Sequence, residues 1–67
     1  MAVARVTEIT ASSTKSFDDA IAVGVERANK TLENVKEAWI QQQKVTIVAG
    51  KISEYRVNMK VTFILTD

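Results

Sequence analysis

Apolar and polar residues alternate most cleanly towards the end of the chain. Tyr55, Val57, Met59, Val61, Phe63 and Leu65 share one parity, and Glu54, Arg56, Asn58, Lys60 and Thr62 the other. A period of two is that of a strand with one buried face, so a strand is predicted over residues 52–65. A second strand is predicted over residues 38–48. The two are joined at Ala49-Gly50-Lys51, and a short glycine-containing turn between two β-prone runs is a hairpin signal. Before them the period changes. Phe17, Ile21, Gly24/Val25, Ala28 and Leu32 recur at helical spacing. Ser16 suits the N-cap, Asp18 and Asp19 suit the positive end of the helix dipole, and Asn34 ends the helical region. Asp18, Glu26, Arg27 and Lys30 lie largely off the apolar stripe. Gly24 costs a helix about 1 kcal/mol relative to alanine, and close packing on a sheet explains its presence. Residues 3–10 are rich in Val, Ile and Thr and predict a first strand. Val6 and Ile9 have opposite parity there, so either both faces are partly buried or a bulge intervenes.

These elements give an α+β domain of β-α-β-β order. The helix between the first two strands makes them parallel, and the hairpin makes the third antiparallel to the second. The simplest three-stranded sheet then has the third strand in its centre and the helix on its apolar face. The other two strands are edges, which are normally paired or protected.

Length changes the picture. Sixty-seven residues make one domain, 1–67. A core this small rarely supplies more than about 3–5 kcal/mol without a staple. The chain has no cysteine for a disulfide, and with no histidine either it lacks the usual zinc ligands. Self-association is the remaining common solution. The same absences remove Ser-His-Asp and Cys-His machinery, and no enzyme is expected. Gly24 and Gly50 are too far apart for a phosphate-cradling loop. A net charge of +1 with interspersed signs is not the footprint of a nucleic-acid binder. No apolar run approaches the length of about 18 residues that spans a membrane. Met1-Ala2-Val3-Ala4-Arg5 lacks signal-peptide features, which leads us to expect a cytoplasmic protein.

Few residues are candidates for chemistry. Trp39 shares strand parity with Gln41, Gln43, Val45 and Ile47, and is either a core or interface residue or a stacking platform for a planar ligand. The amides of Gln41, Gln42 and Gln43 can bond a ligand's ring edge or a neighbouring subunit, or simply be solvated. Arg56, Asn58 and Lys60 form the polar face of the last strand, which in an oligomer can line a cavity. Glu8, Glu37, Glu54 and Asp67 show no spacing that suggests acid–base catalysis. Symmetry can still gather one carboxylate from each of several copies around a cation.

Several segments, taken in order, resemble the dodecin family. They are Thr10-Ala11-Ser12-Ser13, Ser16-Phe17-Asp18-Asp19-Ala20-Ile21, Arg27-Ala28 through Leu32-Glu33-Asn34-Val35, and above all the run from Gly50 to Phe63 that contains Glu54-Tyr55-Arg56-Val57. The resemblance covers nearly the whole chain. It implies a hollow homododecamer whose subunits each pack a helix on a three-stranded antiparallel sheet. It also implies storage or sequestration of flavin (FMN or riboflavin), stacked between tryptophans of symmetry-related subunits beside a ring-bonding glutamine. At those two positions this chain differs: the stacking tryptophan falls on Glu37 and the glutamine on Arg56. Trp39 lies two residues further along the strand, and Lys44 stands where a basic residue approaches the flavin phosphate in some bacterial members. Glu37, Trp39, Gln43, Lys44 and Arg56 are therefore the expected flavin contacts. A Glu37–Arg56 ion pair, as an interface salt bridge locking subunits together, is the alternative use of the altered positions. It accompanies a second functional reading, a structural or cation-binding shell of the calcium type without flavin.

Overall fold

The computed structural model describes residues 2–65; Met1, Thr66 and Asp67 lie outside the described residues. The chain runs β1 (Ala4–Ser13), α1 (Phe17–Thr31), β2 (Val35–Val48) and β3 (Lys51–Ile64). The sheet order is β1-β3-β2, with β3 antiparallel to both neighbours. The expected α+β, β-α-β-β architecture with the last strand central is thus observed.

Local chemistry explains each boundary. Ser16 is extended and its hydroxyl accepts from the Asp19 backbone N–H at 3.0 Å, satisfying one of the helix's first orphan donors. Buried Ser13 fixes the loop before it. Its hydroxyl donates to Asp19 Oδ2 at 2.6 Å and accepts from the Lys15 backbone N–H at 2.9 Å. The helix ends earlier than expected, at Thr31, with the Leu32 N–H still bonded to the Ala28 carbonyl. Asn34 then adopts φ 60° and turns the chain into β2, a conformation that asparagine tolerates better than most residues. Ala49 and Gly50 form the β2–β3 turn with φ 52° and 77°. Positive φ at both central residues is the type I′ geometry whose twist matches a two-residue hairpin.

The helix lies over β1 and β3 and shields Val57, Met59 and Val61. Ala20, Gly24 and Ala28 are its buried positions. Gly24 sits at a close approach: an added Cβ would stand 2.8 Å from Met59 Cε, which would have to shift, and 3.0 Å from Ala11 Cβ. Phe17 meets Tyr55 edge-on, with centroids 5.1 Å apart, and closes one end of the core.

Three readings of the strands need correction. β1 pairs with β3 without interruption, so it has no bulge. Thr7, Ile9, Ala11 and Ser13 face inward, and Val6 stands exposed on the other side. β2 carries register shifts at Val35/Glu37 and Ile40/Gln42, where Lys36 and Gln41 are the extra residues, and near the turn β3 carries one at Ser53. Each extra residue reverses the side on which those following it emerge. Leu65, read as part of the apolar face, lies past the end of β3 and is exposed.

The subunit is long and thin. Its extents are 51 × 19 × 13 Å and its radius of gyration is 13.7 Å, against about 11 Å for a compact domain of this length. Its accessible surface is 5023 Å², against about 4,200 Å² for a monomer of this mass. β1 stops at the level of Tyr55. Beyond it, β2 and β3 continue as a two-stranded ribbon on which Ile47, Val48 and Ile52 stand exposed.

Candidate functional site

The side of the sheet away from the helix carries the candidate chemistry. Since Val57, Met59 and Val61 point under the helix, Glu54, Arg56, Asn58, Lys60 and Thr62 point away from it. The registers then assemble cross-strand rows on this open face. Glu8 and Trp39 flank Lys60; Thr10 and Gln42 flank Asn58; Ser12 and Lys44 flank Arg56; Val6 and Glu37 flank Thr62.

Trp39 is 67% exposed although it lies within a strand. The Lys60 ammonium sits over its ring, 5.8 Å from the centroid, within the range of a cation–π contact. Asn58 Nδ2 donates to Thr10 Oγ1 at 3.2 Å. Arg56 Nη2 donates to Glu54 Oε1 at 3.1 Å, both side chains being partly exposed. Lys44 lies directly opposite Arg56. Two cations in that relation repel, and Glu54 offsets only part of the charge.

Four of the five sequence-predicted contacts share this face: Glu37, Trp39, Lys44 and Arg56. Gln43 does not. It pairs with Val57 and so belongs to the helix side. The equal parity expected for Trp39, Gln41 and Gln43 fails because Gln41 occupies a bulge. Gln42 takes the open face instead. Gln41 Nε2 is shielded from solvent with no hydrogen-bond partner, as is Thr46 Oγ1.

The Glu37–Arg56 ion pair does not form within the chain. Their β3 levels, Thr62 and Arg56, are six residues apart, roughly 20 Å along a strand. Only different copies can bring those side chains together. Sequence reasoning passed over Lys60 as a site residue, although its parity placed it on the open face and a plain count from the Val48–Lys51 pair at the hairpin puts it opposite Trp39.

A concavity lies on the other side of the sheet. A groove of about 470 Å³ runs between α1 and β1, lined by Ile9, Ala11, Val23, Gly24, Arg27 and Leu32 among others. None of the predicted contacts lines it. Among the described residues no three His, Cys, Asp or Glu side chains cluster to hold a metal ion. Among the same residues no helix is long and apolar enough to cross a membrane.

Comparison with known proteins gives one consistent family. The dodecin family model matches residues 3–66. The dodecin from Streptomyces davaonensis superposes with a TM-score of 0.95 at 33% identity, over 98% of this chain and 97% of that one. Dodecin from Streptomyces coelicolor matches with a TM-score of 0.95 at 29% identity, over 98% and 94% of the two chains. A calcium-chelating antigen from Mycobacterium tuberculosis, calcium dodecin, matches with a TM-score of 0.84 at 29% identity, over 96% and 91%. No curated protein matches the chain.

Proposed function

The chain belongs to the dodecin family, and from that premise we propose that it binds and sequesters a flavin, FMN or riboflavin, between copies of itself in a hollow homododecamer. The reading is one of binding and storage, not of catalysis.

Its main support is Trp39, an indole left 67% exposed on the uncovered face of the sheet. A large apolar ring in that position is stabilised by stacking on another planar group. The cations on the same face supply the polar half of the site. Lys44 and Arg56 lie opposite each other, and a phosphate between them would turn their repulsion into charge-assisted hydrogen bonds. Their row is four residues along β3 from the Trp39–Lys60 row, about 13 Å, the reach of a ring with an extended side chain. Glu37 sits beyond Trp39 on the side away from these cations. Flavin titration tests the proposal. Riboflavin and FMN fluorescence is expected to be quenched at micromolar protein, with parallel quenching of Trp39. Unquenched flavin emission would remove it.

A second reading follows from the match to calcium dodecin. A calcium-type shell built on this chain needs carboxylates from several copies, because one copy offers no cluster among its described residues. Calorimetric titration with calcium, with and without flavin, separates the two readings.

A further inference from the structure

We infer that Lys60 sets the charge selectivity of the Trp39 platform, admitting planar ligands that carry an anionic group and disfavouring neutral ones. The inference deepens the flavin reading and rests on Trp39 being the ring platform.

Lys60 occupies the central strand with Trp39 on one side and Glu8 on the other. Glu8 is the obvious partner for an ammonium. Among the described residues, however, the one ion pair is Arg56–Glu54, and Lys60 Nζ stands over the indole instead. Of the three cations on the open face, Lys60 is the one beside the ring, since Lys44 and Arg56 lie about 13 Å further along the strands.

A planar ligand meets this arrangement in one of two ways. It can displace the ammonium from the indole, which forfeits a cation–π contact worth about 2–5-fold in affinity at exposed sites. Or it can stack on the opposite ring face, where the ammonium already polarises the indole's electrons and weakens stacking with an electron-poor ring. A neutral ligand returns nothing for either loss. A ligand bearing a phosphate gives the displaced ammonium a charge-assisted hydrogen bond, stronger than the contact it gave up. Glu37, two residues from Trp39 on the same face, repels an anion on its own side and directs it towards the cations.

FMN and riboflavin are the anionic and neutral forms of one ring, so they isolate the effect. Trp39 is the sole tryptophan, and its quenching reads binding directly in the assembled wild type, Lys60→Met and Lys60→Arg. Lys60→Met is expected to bind riboflavin about 2–5-fold more tightly and FMN more weakly, lowering the FMN-to-riboflavin preference by about tenfold. Lys60→Arg keeps a cation over the ring and should retain the preference, which a purely structural role for Lys60 would not predict. An unchanged preference in Lys60→Met, with both flavins bound, overturns the inference and leaves the platform standing. Absence of quenching by either flavin in all three proteins removes the platform itself, and the selectivity with it.

Discussion

The double substitution Ile47→Thr/Ile52→Thr measures how much of the subunit's stability comes from other copies. The two residues pair in register at the free end of the hairpin and are 64% and 53% exposed. Threonine keeps the β-branch and the strand preference. In a solitary subunit these are surface exchanges, worth no more than about 0.5 kcal/mol each. A covering copy changes the sum. Full burial of an isoleucine side chain contributes about 1.5–3 kcal/mol, and the half to two-thirds still exposed here is the share a partner can bury, roughly 1–2 kcal/mol each. Burying the new hydroxyl without a partner costs about 1–3 kcal/mol more on mutational scales. The double variant should therefore lose at least about 2–4 kcal/mol per subunit if the ribbon is an interface, against about 1 kcal/mol or less if it is not. Urea unfolding followed by Trp39 emission, at protein concentrations a hundredfold apart, distinguishes the cases, with native mass spectrometry reading the assembly. The wild-type midpoint should rise with concentration, and the variant should dissociate at concentrations where the wild type stays assembled. Midpoints independent of concentration, with a loss below about 1 kcal/mol, would refute the argument that the ribbon is covered by another copy.

Two further substitutions test the backbone reading. Gly24→Ala gains about 1 kcal/mol of helix propensity, but its methyl meets Met59 Cε and Ala11 Cβ at 2.8 and 3.0 Å, and overpacking of a core costs about 1–3 kcal/mol; thermal unfolding should show a net loss of up to about 2 kcal/mol, and stabilisation would contradict the close approach. Ala49→Asn places the residue type preferred in type I′ turns at φ 52° and should add about 0.5–1 kcal/mol, since left-handed geometry costs alanine about 1–2 kcal/mol; a lowered melting temperature would speak against that turn.

How far the sequence revealed this molecule depended on whether the signal was local. β3 was legible from Glu54 to Phe63 because that stretch, buried on one side under the helix, writes its burial as strict alternation. The helix start was legible because Ser16 and Asp19 are three residues apart and bond directly. The hairpin was legible from Gly50. β2 was harder. Its bulges at Val35/Glu37 and Ile40/Gln42 invert the parity on either side, so a count along the strand put Gln43 beside Trp39. Nothing in Gln41-Gln42-Gln43 marks the bulge, because all three are polar and their order carries no alternation to break. That a Glu37–Arg56 pair can form only between copies was hidden for a different reason. The two residues sit on different strands at levels that the register alone sets, and register is a property of the folded pair.

The uncovered face and the thin core have one cause. A helix of 15 residues is about 22 Å long, while strands of 14 residues reach about 46 Å. One helix on one face therefore leaves the far end of the hairpin and the whole opposite face without cover. Evolution can answer an uncovered face with polar residues, as Arg56, Asn58 and Lys60 do. It can also answer with apolar ones that only a second body can bury, as Trp39, Ile47, Val48 and Ile52 do. The two kinds are mixed on this subunit. Ile47, Val48 and Ile52 cluster at the ribbon's end with no titratable neighbour except Lys51 and Glu54, which suits a flat protein contact. Trp39 stands among Lys60, Glu8 and Glu37, with further cations along the strands, which suits a ligand that is itself apolar on its face and polar at its rim. On the proposed reading, the same shortage of cover serves assembly at one end and binding in the middle.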